Sequence, residues 1–209
     1  MRDLIYLALL LSVYCFLHSF LISIPVTRFI KNYFRHVYHF YRILYNVFSV
    51  ITLIPVIYYA YSLDGGTILS WSGYKVYVKY LLMYAGILLL FAGAREYNLM
   101  QFSGLKQVMN KRSQKDINGS GELKKTGILG IIRHPWYSAG ILLLWSRDMD
   151  YPALVVNIVL TLYLIIGTYL EEYKLKKAFG DQYRDYKKEV SMLFPYKWIA
   201  RHVFHKNRV

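Results

Sequence analysis

The chain has a single cysteine, Cys15, among its 209 residues. No intramolecular disulfide can brace it, and cysteine usage does not report its redox compartment. No glycine loop that could cradle a phosphate follows a strand, no nucleophile elbow occurs, and no cysteine or histidine spacing suits zinc. The dyad Gly119-Ser120-Gly121 lies in a turn with no strand before it. His36 and His39 have an i, i+3 spacing, but two histidines without an acidic or thiol companion make a poor metal site, so they read as interfacial residues and no metal is expected. Acidic residues are few, 12 against 26 lysines and arginines, for a net charge of +14.

Apolar residues are abundant. At 56% hydrophobic and 18% aromatic, the composition excludes an ordinary soluble domain and the length excludes a large transporter. One polytopic membrane domain over residues 1–209 is expected. Leu4 to Ile24 forms a first span, too long and too rich in aromatics for a signal-peptide core. Phe40 to Leu63 forms a second, with Pro55 inside it as a kink. Tyr77 to about Phe102 forms a third, followed by the polar stretch KQVMNKRSQKDINGSGELKKT. Gly127 to Trp145 and Ala153 to Leu170 complete five spans. Segments 25–39, 103–135 and 171–209 carry 20 of the 26 basic residues, against 4 in the N-terminus and the other two connectors. Lysine and arginine favour the cytoplasmic side, so an external N-terminus and a cytoplasmic C-terminus are expected. The positive charge is thereby explained by topology and by attraction to anionic lipid, and no nucleic-acid partner is expected.

RHPWY, residues 133–137, interrupts the fourth apolar run. Pro135 disfavours helical geometry at His134 and suits the first position of a new helix. From Trp136 to Arg147 that helix is about 18 Å long, short of a bilayer core near 30 Å. Irregular backbone at that depth must be covered by protein or line a polar cavity; a cavity is the simpler expectation. The first-turn N–H groups of the new helix, with Arg133 beside them, favour an anion. The alternative is an arginine that snorkels to headgroups beside an N-capping histidine.

Glu171 and Glu172 follow the last span. Beyond them Leu175, Phe179, Tyr183, Tyr186 and Val190 recur at helical spacing, which predicts a C-terminal amphipathic helix along the membrane surface. Glu172 stands four residues before Lys176, an arrangement for a surface ion pair. Glu171 lies on the apolar stripe, where a carboxylate needs a partner and a ligand could supply it. His18, within the first span, reads as a histidine paired with a carbonyl rather than as a ligand.

TGILGIIRHPWYSAG, then Glu171-Glu172 after 30 intervening residues, then FGDQYRDYKKEVSMLFP, resembles the C-terminal half of the isoprenylcysteine carboxyl methyltransferase superfamily. The likeness covers about residues 123–195. HSFLIS at 18–23 and FSGLKQ at 102–107 resemble, more softly, its methanethiol S-methyltransferase branch. The resemblance implies an all-α integral membrane fold of about five transmembrane helices, one broken at the Arg-His-Pro motif. It implies S-adenosylmethionine as methyl donor, held at the cytosolic side by His134, Pro135, Tyr137, Glu171 and Glu172. Arg133 would be catalytic, with Lys106 and Gln107 near a lipophilic or small acceptor entering from the bilayer. Ile128, Leu129 and Ala139 depart from the pattern, where relatives carry Pro-Tyr and glycine. Two other classes share features of the motif: membrane sterol reductases that bind NADPH, and a non-catalytic accessory protein of the same fold. Oligomeric state is not legible.

Overall fold

A computed structural model describes residues 1–36, 38–96 and 123–204. Lys106, Gln107, the FSGLKQ segment and Gly119 to Gly121 lie outside the described residues. The fold is all-α. The helices among the described residues are α1 (Arg2–Leu21), α2 (Ile24–Tyr33), α3 (Tyr41–Ser62), α4 (Lys75–Glu96), α5 (Pro135–Trp145), α6 (Tyr151–Glu189) and α7 (Tyr196–Phe204). The only extended elements among the described residues are β1 (Thr67–Leu69) and β2 (Met149–Asp150), which pair antiparallel. Among the described residues, four helical segments are long and apolar enough to cross a membrane: α1, α3 with the 3-10 turn before it, α4 and α6. Helices of this number, length and apolarity make a multi-pass membrane protein.

The expected fourth span takes the form its proline dictates. A 3-10 turn at Gly127–Gly130 is followed by α5, with His134 at the N-cap and Pro135 in the first turn. At 11 residues α5 is about 16 Å long, roughly half a bilayer core. Pro55 sits within a continuous α3. Segment 25–39, expected as a connector, contains α2, with Pro25 in its first turn.

The described residues divide into two compact units, one built from 1–70 and 148–160, the other from 71–96, 123–147 and 161–204. In the first, α1 packs on α3, and β1 pairs with β2. Leu7, Leu11 and Cys15 are its buried residues on α1, and Tyr45, Ser49 and Val56 those on α3. In the second, α5 runs antiparallel along α4. Gly86 faces Leu143, and Gly93 faces Trp136 and Pro135 so closely that a methyl group there would overlap the indole. Trp136 also donates from Nε1 to the Leu90 carbonyl at 3.2 Å.

Helix α6 continues from its apolar half straight through Glu171 and Glu172. It then breaks at Gly180, whose φ of 55° and ψ of −125° lie outside the range other residues adopt readily. The limb beyond, 181–189, carries Tyr183 and Tyr186, which with Val190 form a buried cluster against Leu175, Phe179 and Leu123. The expected amphipathic stripe is therefore present, but bent at a glycine.

Candidate functional site

The irregular backbone around Arg133 is satisfied by protein. Arg133 N donates to the Ser191 carbonyl at 2.9 Å and His134 N to that of Met192 at 3.2 Å, while Ile132 and Ser191 form a parallel bridge. Ser138 Oγ donates to the Leu193 carbonyl at 2.6 Å, and the Tyr186 hydroxyl to that of Leu129 at 2.6 Å. Protein thus covers the break on this side, one of the two ways in which irregular backbone at that depth is tolerated. Segment 190–193 pairs with the connector and satisfies its backbone groups.

That cover positions a charged network. Arg133, 7% exposed, binds Glu172 Oε1 through Nε at 2.7 Å and through Nη2, and donates from Nη1 to the Val190 carbonyl. The other carboxylate oxygen of Glu172 meets Lys187 Nζ at 2.6 Å. In this arrangement the guanidinium's partners are protein groups, so Arg133 is fixed in place before any ligand arrives. A buried arginine and carboxylate held by two shared contacts are costly to separate.

The two glutamates exchange the burial that helical phase assigned them. Glu172 is 4% exposed, whereas the Glu171 side chain is 37% exposed. The expected surface pair of Glu172 with Lys176 is corrected: Lys187 and Arg133 are its partners. Phase along a straight helix could not show this. Only the turn at Gly180 folds residues 181–190 back over Glu172, since 15 residues of unbroken helix would set Lys187 about 22 Å away.

His134 lies outside the spanning helices, in the connector before α5, and is 3% exposed. Its Nδ1 is 3.5 Å from Glu171 Oε2 and its Nε2 3.5 Å from Glu172 Oε1. Burial opposes charging the imidazole, but the two carboxylates outweigh it and raise its pKa above the ordinary value. The Tyr137 ring stands edge-on to His134 with centroids 5.6 Å apart, and its hydroxyl bonds Glu171. Arg133, His134, Pro135, Tyr137, Glu171 and Glu172 therefore fall within one constellation. Lys187 is the site residue that sequence reasoning missed. Its one visible signal was the glycine at 180, seven residues ahead, marking a helix break.

The arrangement offers one partly open carboxylate, Glu171, flanked by an imidazole and a phenol and backed by a buried ion pair. Such a set can accept hydrogen bonds from an amine or from sugar hydroxyls. Among the described residues no group of three or more histidine, cysteine, aspartate or glutamate side chains is placed to hold a metal.

The sequence model of the NnrU protein family matches residues 6–148, well over half the chain. A methanethiol S-methyltransferase of Pseudomonas deceptionensis is 37% identical over 94 residues, 44% of this chain and 35% of that protein. Methanethiol S-methyltransferase 1 of Bradyrhizobium diazoefficiens is 35% identical over 115 residues, 54% of this chain and 40% of that protein. A third relative of the same name, from Mycobacterium tuberculosis, is 40% identical over 72 residues. The chain thus matches well under half the length of these curated relatives. No solved structure matches it.

Proposed function

This chain belongs to the NnrU protein family, and from that membership, its methyltransferase relatives and the geometry around Arg133 we propose that it is an S-adenosylmethionine-dependent integral membrane methyltransferase. The observation that carries the reading is the pairing of a locked Arg133–Glu172 frame with an accessible Glu171 beside His134 and Tyr137. S-adenosylmethionine, when bound, supplies a methyl group on a sulfonium centre, which a nucleophile can take directly without a metal. The residues present fit such a donor. Glu171 would accept from its amino or ribose hydroxyl groups, and Tyr137 and His134 would hold that carboxylate in place. The first turn of α5 at Pro135 favours its carboxylate.

Arg133 and Glu172 act in this reading chiefly as a frame, with Lys187 closing it. Their work is to align the site and keep water out, the two requirements of an in-line displacement. Lys106 and Gln107 remain proposed neighbours of the acceptor. The acceptor class is a lipophilic or small nucleophile, an isoprenylcysteine carboxylate or a thiol; the relatives' name favours a thiol. The 20 to 4 division of basic residues supports an external N-terminus and a cytoplasmic C-terminus, with the donor site on the cytoplasmic side.

Calorimetric titration of S-adenosylhomocysteine into the purified chain, with a labelled-donor transfer screen across prenylcysteines, small thiols and phospholipids, tests the proposal. Saturable binding and transfer to one class support it. Tight NADPH binding in place of S-adenosylhomocysteine would favour a reductase, and binding of neither a non-catalytic role.

A further inference from the structure

Within the first unit, α1 and α3 line a partly open pocket of about 170 Å³ whose walls include Leu10, Val13, Phe48 and Val56, with Tyr14, His18, Ser49 and Thr52 as polar groups in its lining, the Tyr14 and Thr52 hydroxyls donating to the Ser49 and Phe48 carbonyls. Among the described residues no charged side chain lines it. The polar groups belong to a relay. Ser49 Oγ lies 3.1 Å from His18 Nδ1, and the Tyr45 hydroxyl lies 2.8 Å from His18 Nε2 and 3.1 Å from the His18 carbonyl. Tyr45 and Ser49 are buried, at 6% and 7% exposure.

Two proton arrangements satisfy this relay. With the proton on Nδ1, the imidazole donates to Ser49 and accepts from Tyr45, and the Ser49 proton points to a guest. With the proton on Nε2, the imidazole donates to Tyr45, Tyr45 donates to the His18 carbonyl, and Ser49 donates to Nδ1. Ser49 then presents a lone pair. One shift of tautomer, with no change in net charge, makes Ser49 either donor or acceptor at the pocket wall. A hydroxyl is the group that can answer both states, since it donates and accepts. An ammonium or carboxylate would enter apolar walls with no countercharge. The volume is close to that of the cavity, about 150 Å³, that takes a benzene-sized guest in another protein.

We propose that this pocket binds a small apolar molecule of about one ring's size through a single hydroxyl group held at Ser49. The inference is independent of the methyl-donor site. The full chain in lipid nanodiscs would be exposed to two photoreactive probes, a diazirine-bearing aliphatic alcohol of about six carbons and the matching hydrocarbon. Crosslinks would be mapped by mass spectrometry. One net hydrogen bond predicts about three- to tenfold more labelling of residues 10–17 and 48–56 by the alcohol. Ser49→Ala should bring the alcohol down to the hydrocarbon level, and Val13→Trp, which fills the pocket without touching the relay, should block both probes. Equal labelling by the two probes in the wild type would mean a depression filled by acyl chains and would overturn the proposal. So would an alcohol preference that survives Ser49→Ala, or alcohol labelling unchanged by Val13→Trp.

Discussion

In the first unit, His18, Tyr45 and Ser49 satisfy one another through hydroxyls and an imidazole donated by two neighbouring helices, α1 and α3. In the second, Arg133, Glu172 and Lys187 do so as charges drawn from a connector and from both limbs of a bent helix. The first network can lose a member and leave groups that repair their hydrogen bonds locally. The second cannot, because removing Arg133 or Glu172 leaves the other buried without its main counterpart. It also requires more cover, which the 190–193 segment supplies by pairing with Arg133 and His134. Hydroxyl relays can therefore stand at the margin of an apolar pocket, while the ion pair must be walled in and only its neighbour Glu171 left accessible.

The largest test of that contrast is Glu172→Gln. Arg133 would keep its burial and lose its anion, so a stability loss of about 3–5 kcal/mol is expected by denaturant titration in detergent. Next comes Gly180→Ala, which places a Cβ where φ is 55°. A cost of about 1–3 kcal/mol is expected, together with faster amide hydrogen exchange across 181–190 and unchanged exchange in α1 and α3. Ser49→Ala should cost only about 0.5–1.5 kcal/mol, the net worth of one hydrogen bond. A loss there as large as that of Glu172→Gln would erase the distinction between the two networks.

A smaller, pH-dependent effect should belong to the charged network alone. The folded pKa of His134 is raised above its unfolded value, so its protonated form stabilises the fold below about pH 6.5, and that contribution is lost as pH rises through the folded value. Thermal midpoints should therefore fall on the alkaline side in the wild type, and His134→Gln should flatten this part of the profile. A profile unchanged by that substitution would show that His134 does not sense the two carboxylates.

Local chemistry was legible in the sequence; what depended on distant chain was not. Pro135 announced the start of α5 because a proline's fixed φ and missing N–H act on its own turn. The stripe from Leu175 to Val190 announced its buried face for the same reason, periodicity being local. The burial of Glu172 could not be read, since it comes from a reversal at Gly180 that brings Lys187 and Val190 back to it. The pairing of 190–193 with the Arg133 connector was hidden likewise, joining stretches more than 50 residues apart. Helix α2 was missed because its basic residues dominated the reading of 25–39 as a connector.

The central claim is that Glu171 meets the methyl donor while Glu172 holds the frame. Titration of S-adenosylhomocysteine into wild type and Glu171→Gln, with the thermal midpoint measured on the same samples, tests it most directly. The account predicts saturable binding by the wild type, roughly 10- to 150-fold weaker binding by Glu171→Gln, from the loss of one charge-assisted contact, and a midpoint lowered far less than by Glu172→Gln. Equal affinity in the two proteins, or no binding by a folded wild type, would contradict it.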